Sequence, residues 1–172
     1  KYLPDVPIIL DPVMVAKGGH PLLEEKAISF LKKTLMLKSM IITPNLLEAE
    51  KILNFKIRTK NDILKSLNKF SLMKISCVLL KGGHLLEKEI MVTDYLYKKG
   101  KIYKFSLKRI NTKNTHGTGC SLASALTANL CLGKNLRDSV KISKSYVHKA
   151  IIKSFTIGAG HNPINHFINY KS

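Results

Sequence analysis

Three short apolar, β-branched runs, each stopped by a polar or glycine turn, narrow the folds open to this chain. They are Pro7-Ile8-Ile9-Leu10, stopped by Asp11-Pro12; Ser39-Met40-Ile41-Ile42, stopped by Thr43-Pro44-Asn45; and Cys77-Val78-Leu79-Leu80, stopped by Lys81-Gly82-Gly83-His84. Such runs read as strands buried on both faces, the habit of a parallel sheet. Between the first two, Leu22, Leu23, Ala27, Ile28, Leu31 and Leu35 recur at helical spacing among lysines and glutamates, predicting a helix from Pro21 to about Leu35. Asn45-Leu46-Leu47-Glu48 has capping-box form and predicts a helix start. Thr59 and Asp62 predict another, with Ile63, Leu64, Leu67 and Phe70 on its apolar face. Ile90 to Tyr97 and Lys101 to Phe105 flank Gly100 as a hairpin. A helix to about Cys131, a second from Leu136 to about Phe155 and a breaker-rich loop over Gly158-Ala159-Gly160-His161-Asn162-Pro163 complete the chain. The alternation predicts an α/β layered fold with a mostly parallel sheet. No repeat or linker divides it, so residues 1–172 are expected to form a single domain.

Ligands of such sheets gather beyond the C-terminal ends of the strands. Asp11, the Thr43-Pro44-Asn45 turn with Glu48 behind it, and the glycine turn at Lys81 all fall there. A fourth loop, Asn114-Thr115-His116-Gly117-Thr118-Gly119-Cys120, runs into the small-residue apolar stretch Ser121-Leu122-Ala123-Ser124-Ala125-Leu126. Glycines let successive amides point to one place, and the first amides of a helix lack internal partners and sit at the positive end of its dipole. Together they make a phosphate site. A cysteine at a helix N-terminus tends towards thiolate character and can accept a proton. Plain alternatives stand beside each feature: Asp11 as a turn cap, Glu48 as the partner of the Asn45 amide, Cys120 as an inert small hydrophobe. Convergence of four such loops on one sheet edge is what favours phosphate chemistry.

Several other functions are disfavoured. Gly133-Lys134-Asn135 fails the Walker pattern, no dinucleotide fingerprint follows the strand at Ile8 to Leu10, and protein-kinase signatures are missing. His20, His84, His116, His148, His161 and His166 show no recognised zinc spacing. The net charge of +18 comes from 29 Lys+Arg against 11 Asp+Glu. Only Arg58, Arg109 and Arg137 are arginine and the lysines are dispersed, so no specific nucleic-acid partner is expected. No apolar run reaches membrane length, no signal-peptide pattern opens the chain, and Cys77, Cys120 and Cys131 suggest no disulfide framework. The expected setting is cytoplasmic, without membrane association.

Four motifs in order, from Asp11-Pro12-Val13-Met14-Val15-Ala16-Lys17-Gly18-Gly19 through Thr43-Pro44-Asn45-Leu46 with Glu48-Ala49 and Lys81-Gly82-Gly83-His84 to Asn114–Cys120, resemble the hydroxymethylpyrimidine/phosphomethylpyrimidine kinases of thiamine biosynthesis. The tail Gly160-His161-Asn162-Pro163-Ile164-Asn165-His166-Phe167 is also similar, although the family usually has glycine where Ala159 or Asn162 stands. The resemblance implies a ribokinase-like three-layer fold, with helices on both faces of a mostly parallel sheet. It also implies ATP-dependent phosphorylation of a small-molecule pyrimidine alcohol or its phosphate, with Mg²⁺, and a homo-oligomer, a dimer, in the full-length form. Carried over, the Gly117, Thr118, Gly119 and Cys120 amides form the anion hole, with Cys120 as base. Asp11 and Glu48 act near Mg²⁺; Asn45, Lys81, Thr115 and His116 serve the nucleotide and its phosphates; Val13 touches the pyrimidine. Cysteine in place of the superfamily's usual aspartate base is shared with some pyridoxal kinases, which keeps a cysteine-type pyridoxal kinase open. Family members are longer at the N-terminus, so the chain is expected to be the C-terminal portion of such a kinase with its N-terminal strands missing. A noncatalytic remnant that still binds nucleotide is the further alternative.

Overall fold

A computed structural model describes residues 6–15, 20–83 and 90–168. Ala16 to Gly19 of the first motif and His84 of the third lie outside the described residues. Two compact units are seen, Lys1–Ser106 and Leu107–Ser172.

The first unit carries β1 (Ile9–Leu10), α1 (Glu25–Lys33), α2 (Leu35–Lys38), β2 (Ile41–Ile42), α3 (Leu46–Leu53), α4 (Lys60–Leu72), β3 (Cys77–Leu80), β4 (Met91–Lys98) and most of β5 (Lys101–Lys108). The five strands form one mixed sheet in the order β1-β2-β3-β4-β5. β1, β2 and β3 are parallel, with Ile9 opposite Ile41 and Ile42 opposite Val78, whereas β4 runs antiparallel to β3. The hairpin turns on Lys99 and Gly100, both at positive φ (46° and 82°). That twist suits the flanking strands. β5, at the sheet edge, alternates exposed and half-buried residues and carries Lys101, Lys104 and Lys108, charges that discourage further pairing.

Packing explains why the elements are where they are. Val78 and Leu80 face the same way as their partners Tyr97 and Tyr95 and share one cluster with Ile42. Leu46, Ala49 and Ile52 of α3 and Ile63, Leu67 and Phe70 of α4 close over it. Cys77 and Leu79 point to the opposite face and are buried as well, so β3 is a central strand, as its unbroken apolar run predicts. The expected capping box of Asn45 with Glu48 forms, and the helix start expected at Thr59 and Asp62 turns out to be a second one.

The long helix expected from Pro21 is shorter and divided. Pro21 forms a bridge with Val15 and Leu22 N–H donates to Met14 O, which draws these residues into extended backbone; α1 begins only at Glu25. At Thr34 the hydroxyl bonds back to Phe30 O, competing with the helix ladder, and the chain restarts as the four residues of α2.

The second unit is a helix pair, α5 (Thr118–Cys131) and α6 (Leu136–Ile152), closed by the tail. Gly133 at φ 77° makes the turn between them. α6 stops at Ile152 rather than near Phe155 because the tail satisfies carbonyls at its end: Asn165 N–H donates to Ala150 O (3.0 Å) and Asn165 Nδ2 to Lys153 O (3.2 Å). Ile164 and Ile168 pack on Ala150. Among the described residues, no helix is long and apolar enough to cross a membrane.

Candidate active site

The parallel ladder extends past the strand ends and delivers the first group of side chains. Thr43 N–H donates to Leu10 O (2.9 Å) and Lys81 N–H to Pro44 O (2.9 Å), so the residues just after β1, β2 and β3 lie side by side. Asp11 Oδ1 there accepts two bonds, from Thr43 Oγ1 (2.8 Å) and from Lys81 Nζ (2.8 Å). The two charged side chains are largely withdrawn from water, at 15% and 14% exposure. Val13, two residues on, is open to solvent, its N–H folded back onto Asp11 O (2.9 Å).

Glu48 enters from the first turn of α3. Its Oε2 accepts from the Asn45 N–H and its own N–H donates to Asn45 Oδ1, both at 2.8 Å. The capping role open to it in the sequence is therefore real. It is not the only role its position allows, because Glu48 is buried (3% exposed) within electrostatic reach of Lys81 and Asp11. Burial raises its pKa, the Asn45 amide and the Lys81 charge pull it down, and the Asp11 charge adds to the rise. The box uses Oε2 of Glu48 and Oδ1 of Asn45; Glu48 Oε1 and Asn45 Nδ2 accept and donate nothing among the described residues.

Two contributors escaped the sequence reading. Thr43 stood in a quoted motif without a role, yet its hydroxyl orients Asp11. Asp94, buried within β4, accepts the Gly82 N–H (3.0 Å) and pins the turn that carries Lys81. A lone carboxylate among the aromatic and aliphatic residues of that strand was the available signal. Gly82 admits no side chain: a Cβ there would lie 2.0 Å from Thr93 O.

The second unit holds the glycine turn. Gly117 sits at φ 85° as N-cap of α5, which starts at Thr118 rather than after Cys120. The first helical bond is Ser121 N–H to Gly117 O (3.1 Å), and no side chain caps the end, so the Thr118, Gly119 and Cys120 amides have no helical acceptor. Thr118 Oγ1 donates to Thr115 O (3.1 Å) and holds the turn. His116 contributes backbone: its N–H donates to Asn162 O (3.1 Å) and its carbonyl accepts the Ile164 N–H (3.2 Å). Asn162 is itself buried and ties the loop before it, accepting the Ile157 and Gly158 amides at 2.9 Å. The Cys120 thiol is exposed and rests on Gly117 O (3.2 Å). It borders an open groove of about 590 Å³ that follows α5 as far as Tyr146 and His166.

The residues fit a magnesium ion in one specific manner. Among the described residues, no group of three or more His, Cys, Asp or Glu could hold a metal alone. Two carboxylates, each with an oxygen that takes no hydrogen bond among the described residues, suit Mg²⁺, which takes one or two protein carboxylates and completes its shell with water and phosphate oxygens.

A family model for phosphomethylpyrimidine kinase matches residues 2–165. The chain belongs to the phosphomethylpyrimidine kinase family. It is 38% identical over 160 residues to the hydroxymethylpyrimidine/phosphomethylpyrimidine kinase of Bacillus subtilis, covering 93% of this chain and 59% of the relative. It therefore spans about three fifths of that relative's length. Among solved structures, a phosphomethylpyrimidine kinase from Clostridium difficile aligns with TM-score 0.70 at 35% identity, covering 84% of this chain and 57% of the other. A Staphylococcus aureus pyridoxal kinase, in complex with AMP-PCP and pyridoxal, aligns with TM-score 0.82 at 27% identity, covering 92% and 56%. The α/β fold is ribokinase-like.

Proposed function

We propose that the protein phosphorylates 4-amino-5-hydroxymethyl-2-methylpyrimidine, or its monophosphate, from ATP on the route to thiamine diphosphate. Family membership over residues 2–165 carries the proposal, and the chemistry of the two residue groups supports it. Phosphoryl transfer asks mainly for positioning and for neutralisation of spread negative charge. In the second unit, the Thr118, Gly119 and Cys120 amides donate to the phosphoryl oxygens, and the Cys120 sulfur takes the proton of the attacking hydroxyl. In the first unit, Asp11 and Glu48 would hold magnesium, which supplies positive charge against the phosphates. Asn45 Nδ2, which donates to nothing among the described residues, is a donor for a phosphate oxygen, Lys81 brings a cation, and exposed Val13 offers apolar contact to the pyrimidine. Thr115 and His116 shape the nucleotide side of the glycine turn.

One observation favours a second reading, a cysteine-type pyridoxal kinase: the pyridoxal kinase neighbour shares the fold over almost the whole chain. Side-by-side phosphorylation assays with the pyrimidine alcohol and pyridoxal decide between them. Turnover of the pyrimidine at least about tenfold above pyridoxal is the expected result; the reverse preference overturns the first reading. Calorimetric binding of AMP-PCP without turnover of either alcohol would identify a nucleotide-binding remnant.

A further inference from the structure

Building on the proposed kinase reading, we propose that Lys81 acts as a resident cation at the carboxylate pair, so that a divalent metal enters only with a nucleotide whose phosphates draw the lysine off Asp11. The geometry is that of an occupied cation site. Lys81 Nζ lies 2.8 Å from Asp11 Oδ1, and both side chains are mostly withdrawn from water. Glu48, the other carboxylate, lies within reach of the same ammonium. Two carboxylates and one ammonium leave a single net negative charge. A divalent ion arriving alone would set three positive charges against two negative in a poorly solvated place. A metal–triphosphate complex brings its own negative charge, and the lysine can exchange Asp11 for a phosphate oxygen.

The backbone allows this exchange without moving the loop. Lys81 N–H is fixed to Pro44 O, and the next residue is fixed through Gly82 N–H to Asp94. Only the flexible four-carbon stem need swing, the property that separates lysine from arginine at such sites. Thr43 Oγ1 stays on Asp11 Oδ1 throughout and keeps the carboxylate aimed when the ammonium leaves. Lys81 is thus a positioning residue whose first duty is to keep the metal out.

Mn²⁺, titrated without nucleotide and read from the electron paramagnetic resonance of the free ion, tests this. Lys81→Met and Lys81→Gln remove the charge, the second keeping a donor for Asp11 in case the first does not fold. Each folded neutral variant is expected to bind Mn²⁺ at least about tenfold more tightly than the wild type, with Lys81→Arg remaining like the wild type. Equal or weaker Mn²⁺ binding in a neutral variant that keeps its circular dichroism overturns the proposal. The readout needs no turnover, so lack of pyrimidine phosphorylation would count against the proposed function and leave this result standing.

Discussion

Glu48 shows how one side chain can complete a helix cap and still be held there at an electrostatic cost. Its carboxylate completes a cap, yet burial raises its pKa above the ordinary 4.5. The folded state therefore holds the proton more tightly than the unfolded chain. The stability this contributes is full below about pH 4.5 and is lost as pH rises through the raised value. Glu48→Gln keeps an acceptor for the Asn45 amide without the charge. Its melting temperature should exceed that of the wild type near neutral pH, with the gap closing towards pH 4.5. A wild type that melts higher at neutral pH would show that the ionised form is not held at a cost. Cys120 presents the complementary case, an exposed group with little to lose structurally. Cys120→Ser should lower kcat by about 10²–10⁴ if the sulfur takes the proton, while calorimetry finds the affinity for AMP-PCP nearly unchanged. Matching losses in both would instead make the thiol a packing residue.

The turns between elements set the precision of the site. Gly82 is the tightest: its missing Cβ is filled by Thr93 O, and its amide is spent on Asp94. Gly82→Ala should cost about 1–3 kcal/mol in urea unfolding through overpacking, and activity measured well below the transition should fall because Lys81 shifts with it. Full activity in a stably folded variant would show that the turn tolerates displacement. These elements also mark what local sequence can reveal. Asn45–Glu48, Thr59–Asp62 and the Cys77–Leu80 strand were readable because their determinants lie within a few residues. Thr34 ended α1 unannounced, since a β-branched residue at a helical position does not advertise that its hydroxyl will turn back on the ladder. The Gly82–Asp94 and Asp11–Thr43 bonds join separate strands, so only register reveals them.

Across the whole molecule, the glycine turn depends on residues far along the chain. His116 is bracketed by Asn162 O and Ile164 N–H, and the Asn162 side chain organises the loop that precedes it. Asn162→Ala leaves two amides without their buried acceptor and should cost about 1–3 kcal/mol. Hydrogen exchange should quicken at His116 and Ile164 together; unchanged exchange there would mean the turn holds itself. The four motifs were visible in the sequence, whereas this dependence was not, because it runs through backbone groups that every residue shares. It carries a consequence for biosynthesis. A nascent chain that has just emerged through α5 still lacks the clasp that shapes its own glycine loop, so that loop should take its final form in one step, only after residues 157–164 have been made.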